Sequence, residues 1–137
     1  MKVLIIDGQG GKMGQMIIER IKSIGIPCEL IAIGTNSIAT SAMLKAGADA
    51  GATGENPVLV TSGDADVIIG PIGIIAADSL LGEVTPAMAV AVGRSSAKKL
   101  LLPVNLCNNI IVGTGTMPLA KLISEAVDEL AKIIIVS

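Results

Sequence analysis

A buried strand that runs directly into glycines and then into an amphipathic helix permits few folds, and this chain opens with that arrangement. Lys2 to Asp7 reads K-V-L-I-I-D, a near-continuous aliphatic run of the kind found in strands covered on both faces. Gly8 to Gly14 follows as G-Q-G-G-K-M-G. Helical periodicity then begins. Met13, Met16, Ile17, Ile21 and Ile24 fall on one stripe, while Gln15, Glu19, Lys22 and Ser23 lie elsewhere. Gly25 and Pro27 stop the helix.

The order then repeats. Cys28 to Gly34 is a second buried strand, G-T-N-S a turn, and Ser37 to Ala46 a helix that Gly47 ends in a left-handed cap. A third short strand is expected near Asp49 to Ala52, followed by the loop Gly51 to Asn56 and one or two helical turns. Asp66 to Gly70 is a strand with an apolar G-P-I-G-I-I loop after it. Thr85 caps a helix with Pro86 at its first position, ending near Gly93. Lys98 to Pro103 and Ile110 to Val112 are strands too close together for a helical crossover, so an antiparallel edge hairpin is expected. Thr116 and Pro118 open a last helix whose stripe is Leu119, Leu122, Ile123, Ala126, Val127 and Leu130. The apolar run Ile133 to Val136, placed after that helix, is expected to pair on a sheet edge or to pack on a neighbouring subunit. Together these elements predict a single α/β domain over residues 1–137. It is a three-layer, Rossmann-like fold with a mostly parallel sheet and an antiparallel edge hairpin.

Composition narrows the chemistry. The chain of 137 residues contains no aromatic residue and no His, so its core is Ile, Val, Leu, Ala and Met. Without His there is no imidazole metal site and no Ser-His or Cys-His nucleophile; no metal is expected, and no catalytic residue is assigned. Net charge is -2 with scattered Lys and Arg, which argues against nucleic acid as a partner. The least polar stretch, Val67 to Leu81, is interrupted by Pro71 and Asp78 and is too short for a membrane span. Lys2 is followed by only four apolar residues before Asp7, so no signal peptide is read. Cys28 and Cys107 match no metal spacing and are read as reduced thiols of a cytoplasmic protein.

The glycine loop is the candidate site. Glycines let a backbone approach a pyrophosphate closely and allow positive φ. The helix that follows presents unpaired N–H groups and the positive end of its dipole to an anion. Gly8, Gln9, Gly10, Gly11, Lys12 and Met13 are therefore the expected phosphate contacts of a nucleotide or dinucleotide. The G-x-G-G-x-M-G spacing resembles the nucleotide loop of dihydrodipicolinate reductases, and the resemblance implies NAD(P) on Gly8, Gly10, Gly11, Lys12 and Met13. It covers only the first strand, loop and helix. Asp7, beside the proposed phosphates, is read as an acceptor for the loop's own N–H groups.

An NAD-binding domain places an acid at the end of its second strand to grip the ribose diol. Here Gly34, Thr35, Asn36 and Ser37 hold that position with no carboxylate, which favours NADP over NAD, although no Arg accompanies them. Asn36 or Ser37 would also cap the next helix. Gly70, Pro71 and Ile72 are expected to face the glycine loop across the point where strand order reverses, with Ile72, Ile74 and Ile75 covering a ring or making an oligomer contact. Thr53, Glu55, Asn56, Asn105, Asn108 and Asn109 are further polar groups near strand ends. Glu83 and Arg94 are read as solvated surface charges and Cys107 as a structural thiol.

Three phrases taken together, I-D-G-Q-G-G, G-T-N-S-I-A-T-S-A-M-L-K-A-G-A-D-A-G-A-T-G-E-N and D-V-I-I-G-P-I-G-I-I with G-E-V-T-P-A-M, resemble a short bacterial family known only as a domain of unknown function. That resemblance spans nearly the full length and supplies no catalytic residues. Three functions stay open: a nucleotide-binding module, a small NAD(P)-dependent oxidoreductase working as a homo-oligomer, and a structural subunit whose glycines only turn the chain.

Overall fold

The computed structural model describes residues 1–104, 106 and 108–136. Five strands, β1 (Lys2–Asp7), β2 (Glu29–Gly34), β3 (Ala50–Thr53), β4 (Val67–Pro71) and β5 (Lys98–Leu102), alternate with helices α1 (Lys12–Ile24), α2 (Ser37–Lys45), α3 (Glu55–Ser62), α4 (Pro86–Arg94) and α5 (Leu119–Ile135). A 3-10 turn, Ile72–Ile75, follows β4. The strands form one sheet in the order β3-β2-β1-β4-β5, and every pairing is parallel. This is the Rossmann-like order, with the reversal of strand order between β1 and β4.

Alternation along β1 builds the layers. Val3 and Ile5 face a core shared with Ile17, Ile18 and Ile21 of α1, Met43 of α2 and Ile123, Val127 and Leu130 of α5. Leu4 and Ile6 face the other, with Val58 of α3 and Met88 and Val92 of α4. Helices thus cover both sheet faces, as the aliphatic strands require. Shortening a fully buried side chain such as Ile17 to Ala would cost about 2–5 kcal/mol. Glycines fix the ends of α1. Gly11 caps its start at φ 73 and Gly25 its end at φ 74, where the Gly25 N–H donates to Ile21 O and Lys22 O.

Two expectations fail. There is no antiparallel hairpin: β5 lies parallel to β4, and Ile110–Val112 pair with no strand among the described residues. Three apolar residues are too few to hold a strand pair against chain entropy, and Gly113 and Gly115, at φ 89 and 63, turn the chain at once. Nor does the apolar run follow a finished helix. α5 continues through Ile135, so Ile133 and Ile134 pack on the core while Ile135 and Val136 stand exposed. Among the described residues no helix is long and apolar enough to cross a membrane.

Candidate functional site

The C-terminal ends of β1 and β2 converge on the glycine loop, where two carboxylates organise the backbone. Asp7, the last residue of β1, is buried. Its Oδ1 accepts from the Gly8 N–H at 2.8 Å and its Oδ2 from the Gly14 N–H at 2.7 Å. The side chain thereby caps the first turn of α1 from the strand side, a role that Gly11 at the N-cap position cannot fill. Burial pushes the Asp7 carboxyl above its ordinary value; the Gly14 and Gly8 N–H groups oppose that, and the Glu83 charge adds to it.

Glu83 is the second carboxylate, and it arrives from far along the chain. Its Oε1 accepts from the Gln9 N–H at 2.9 Å, Thr35 Oγ1 at 2.5 Å and Asn36 Nδ2 at 2.8 Å. Its Oε2 has no protein partner among the described residues. Partial burial works against its charge, but the Thr35, Gln9 and Asn36 hydrogen bonds prevail and hold the carboxyl below its ordinary value. The segment that carries it is wound left-handed: φ is 66 at Asp78, 56 at Leu80, 56 at Leu81 and 86 at Gly82. Each such non-glycine residue costs about 1–2 kcal/mol. Leu80, 2% exposed, anchors the turn in the core, whereas Leu81, 95% exposed, stands in solvent. The Asp78 N–H closes the turn by donating to Val84 O at 2.7 Å.

The glycines of the loop serve different ends. A Cβ on Gly8 would lie 2.5 Å from Thr35 Oγ1 and 2.9 Å from Glu83 Oε1. One on Gly11 would lie 2.6 Å from the Ala39 Cα, and one on Gly14 2.5 Å from Met43 Sδ. These three positions are closed by strand, helix and turn packing. Gly10 is exposed, its φ lies outside the left-handed region, and a Cβ there would meet nothing within 4 Å. Amides divide in a similar way. Those of Gly8, Gln9, Gly11 and Gly14 donate to Asp7, Glu83, Gly8 O and Asp7 respectively. Those of Gly10, Lys12 and Met13 have no protein acceptor among the described residues. Lys12 is exposed and in no ion pair among those residues. Met13 is in the core, so only its backbone faces the loop.

At the end of β2, the expected residues are present but engaged. Gly34 is closed by Thr40, whose Oγ1 would lie 2.2 Å from a Cβ. Asn36 caps α2 by accepting from the Ala39 N–H at 2.9 Å, and its amide also donates to Gln9 O. Ser37 is exposed and lines a surface hollow of about 590 Å³ with Gln15, Ile38 and Lys45. The loop after β4 departs from expectation. Gly70 and Pro71 are buried residues of β4 itself, where a Cβ on Gly70 would lie 2.5 Å from Ile6 O. Ile72 begins the 3-10 turn. The space between this turn and the glycine loop is filled by Leu80, which lies 3.0 Å from a Cβ on Gly8 and 3.9 Å from one on Gly73. Gly70 and Pro71 are thus enclosed by strand packing, while Ile72 is half-buried at the start of the turn.

Sequence reasoning missed Glu83. It lies 74 residues from Gln9 in a turn with no local pattern, and only the three-dimensional path of 76–85 brings it to β2. Other candidates serve their own neighbourhoods. Glu55 accepts from Thr85 Oγ1, Thr53 pairs with Thr40, and Asn109 donates to Leu106 O. Asn105 and Cys107 lie outside the described residues. The Cys28 thiol is raised above its ordinary value by burial. A hollow of about 930 Å³ lies between β5 and α5, where Leu100, Leu122 and Glu125 line it, away from the glycine loop.

One solved structure similar to the chain is a dodecameric FMN-dependent UbiX-like decarboxylase from Escherichia coli O157:H7, 14% identical, with a TM-score of 0.48, covering 95% of this chain and 94% of that one. No curated protein sequence matches it. A family model described as a domain of unknown function, DUF3842, matches residues 2–135, and the chain belongs to that family.

Proposed function

We propose that the chain binds a nucleotide, with its phosphate on the N–H groups of Gly10, Lys12 and Met13 at the start of α1, and that the ligand class is NAD(P). Gly10 carries this reading. Gly8, Gly11 and Gly14 lack side chains for reasons internal to the fold. Gly10 has no such reason, and a glycine without one costs about 0.5–1 kcal/mol of chain entropy relative to Ala. Close approach of a ligand to the backbone supplies the reason. The amides of that turn and the Lys12 ammonium, without protein partners among the described residues, and the positive end of the α1 dipole would together hold an anion there. Hydrogen bonds to a charged group of this kind contribute about 1.5–3 kcal/mol each.

A second reading is favoured by a different observation. Four loop amides already donate to protein acceptors, as they would in a turn that only joins β1 to α1. Thermal unfolding of the full chain, followed by circular dichroism with NAD, NADP, ADP or FMN, separates the two. A nucleotide present at about one hundred times its Kd adds about 2.7 kcal/mol of stability and raises Tm by several degrees. Gly10→Val should abolish that rise. If no nucleotide raises Tm, with or without Mg²⁺, the site reading fails and the loop is a turn.

A further inference from the structure

We infer that Glu83 is the acceptor for a ribose diol, and that it selects nucleotides with a free 2′-hydroxyl over those with a 2′-phosphate. The inference rests on the nucleotide reading above and names the ligand class of that same site.

Its starting point is a displaced function. The end of β2, Gly34 to Ser37, contains no carboxylate. Glu83 nevertheless places one against Thr35 and Asn36, at 2.5 and 2.8 Å, and against the Gln9 amide at 2.9 Å. A group that parallel α/β nucleotide sites take from the second strand is here delivered by the turn at 76–85. The three donors grip one oxygen only, which fixes the carboxylate plane and leaves Oε2 with its lone pairs unengaged among the described residues. Two adjacent hydroxyls are a natural match for such an oxygen, because each can donate to it.

The same geometry works against a 2′-phosphate. The donors that could have met one, the Gln9 N–H, the Thr35 hydroxyl and the Asn36 amide, are already engaged by Glu83. None of them is cationic, and Arg94, the remaining guanidinium besides Arg20, lies at the end of α4 rather than at β2. A phosphate ester with about two negative charges would therefore face a carboxylate held in its ionised form. Like-charge contacts of this kind cost several kcal/mol, or about a hundredfold in affinity. On this reading NAD is preferred, the opposite of the NADP preference drawn from the bare end of β2. For a 2′-phosphate to bind, Glu83 would have to leave and release its three donors.

Calorimetric titration of the full chain with NADH, NADPH, AMP and adenosine 2′,5′-bisphosphate tests this. The expected result is that NADH binds about a hundredfold tighter than NADPH, and AMP about a hundredfold tighter than the bisphosphate. Glu83→Gln removes the charge but keeps an acceptor for the three donors, and should shrink both gaps to less than about tenfold. Should that variant not fold, the wild-type pairs decide the matter alone. Equal binding within the pairs, a preference for the 2′-phosphates, or gaps unchanged in Glu83→Gln would each overturn the inference and leave the nucleotide reading standing. If none of the four ligands binds, the nucleotide reading falls and takes this inference with it.

Discussion

The two sides of the glycine loop are built on opposite principles. Its inner side, against β1, α1 and α2, is closed: Asp7 is buried, both its oxygens accept loop amides, and Gly11 and Gly14 leave no room for a methyl group. Its outer side is more open: Gly10 is exposed, and among the described residues three amides lack protein acceptors and Glu83 has one oxygen engaged and one not. The two carboxylates shift in opposite directions for that reason, Asp7 upward from burial and Glu83 downward from its three donors.

The comparison breaks most readily on the inner side. Gly11→Val forces a β-branched residue into φ 73 and drives its Cβ to within 2.6 Å of the Ala39 Cα. The left-handed backbone costs about 1–2 kcal/mol and the collision about 1–3 more, so urea unfolding should show a loss of about 3 kcal/mol. A variant as stable as the wild type would show that α1 and α2 do not meet as described. Asp7→Ala should cost less, about 1–3 kcal/mol, because two buried N–H donors lose their acceptor while the burial of a carboxylate is relieved. An unchanged urea midpoint there would mean that the cap contributes nothing.

Acid titration sharpens the contrast through its sign. Asp7 holds its proton more tightly folded than unfolded. Its contribution is therefore present below the ordinary Asp pKa and is lost as pH rises through the raised folded value. Glu83 behaves in the opposite way: its contribution is present above the ordinary Glu pKa and is lost as pH falls through the lowered folded value. Around the ordinary carboxylate range the two slopes oppose each other. Asp7→Asn should steepen the loss of stability on acidification, and Glu83→Gln should flatten it. The Glu83 effect should be the smaller, since that side chain is partly solvated and water screens it. Parallel pH curves for wild type and Glu83→Gln would mean that the three hydrogen bonds to Glu83 are not formed in solution.

How far the sequence could be read follows from where the determinants lie. β1, the glycine loop and α1 are legible because their signals are local: an aliphatic run, left-handed glycines and a 3.6-residue stripe. Asp7 is legible as an acceptor because its partners, Gly8 and Gly14, are within one turn of it. The parallel course of β5 is not legible, since Lys98–Leu102 is assigned its place by β4 across α4 rather than by its own neighbours. Ile110–Val112 misleads for the converse reason: local β propensity without an edge to pair with makes no strand. Glu83 is the clearest case. Nothing within A-D-S-L-L-G-E-V-T-P announces that two leucines and an aspartate will turn left-handed and bring a carboxylate to another strand. Leu80 fills the gap between the glycine loop and the 3-10 turn, and that packing decides where Glu83 goes.

The smallest expected effect on stability discriminates best between a turn and a site. Gly10→Val places a branched side chain where a Cβ meets nothing within 4 Å and φ is not left-handed. The fold has no objection to it, and the unfolded chain loses freedom, so the unfolding free energy in urea should move by no more than about 0.5 kcal/mol in either direction. Gly11→Val, one residue away, should cost several times that. If Gly10→Val proves as damaging as Gly11→Val, then Gly10 is a packing glycine like its neighbours, the outer side is closed after all, and the argument for a ligand loses its support. If Gly10→Val is neutral, packing among the described residues does not account for the glycine at that position, as the nucleotide reading expects.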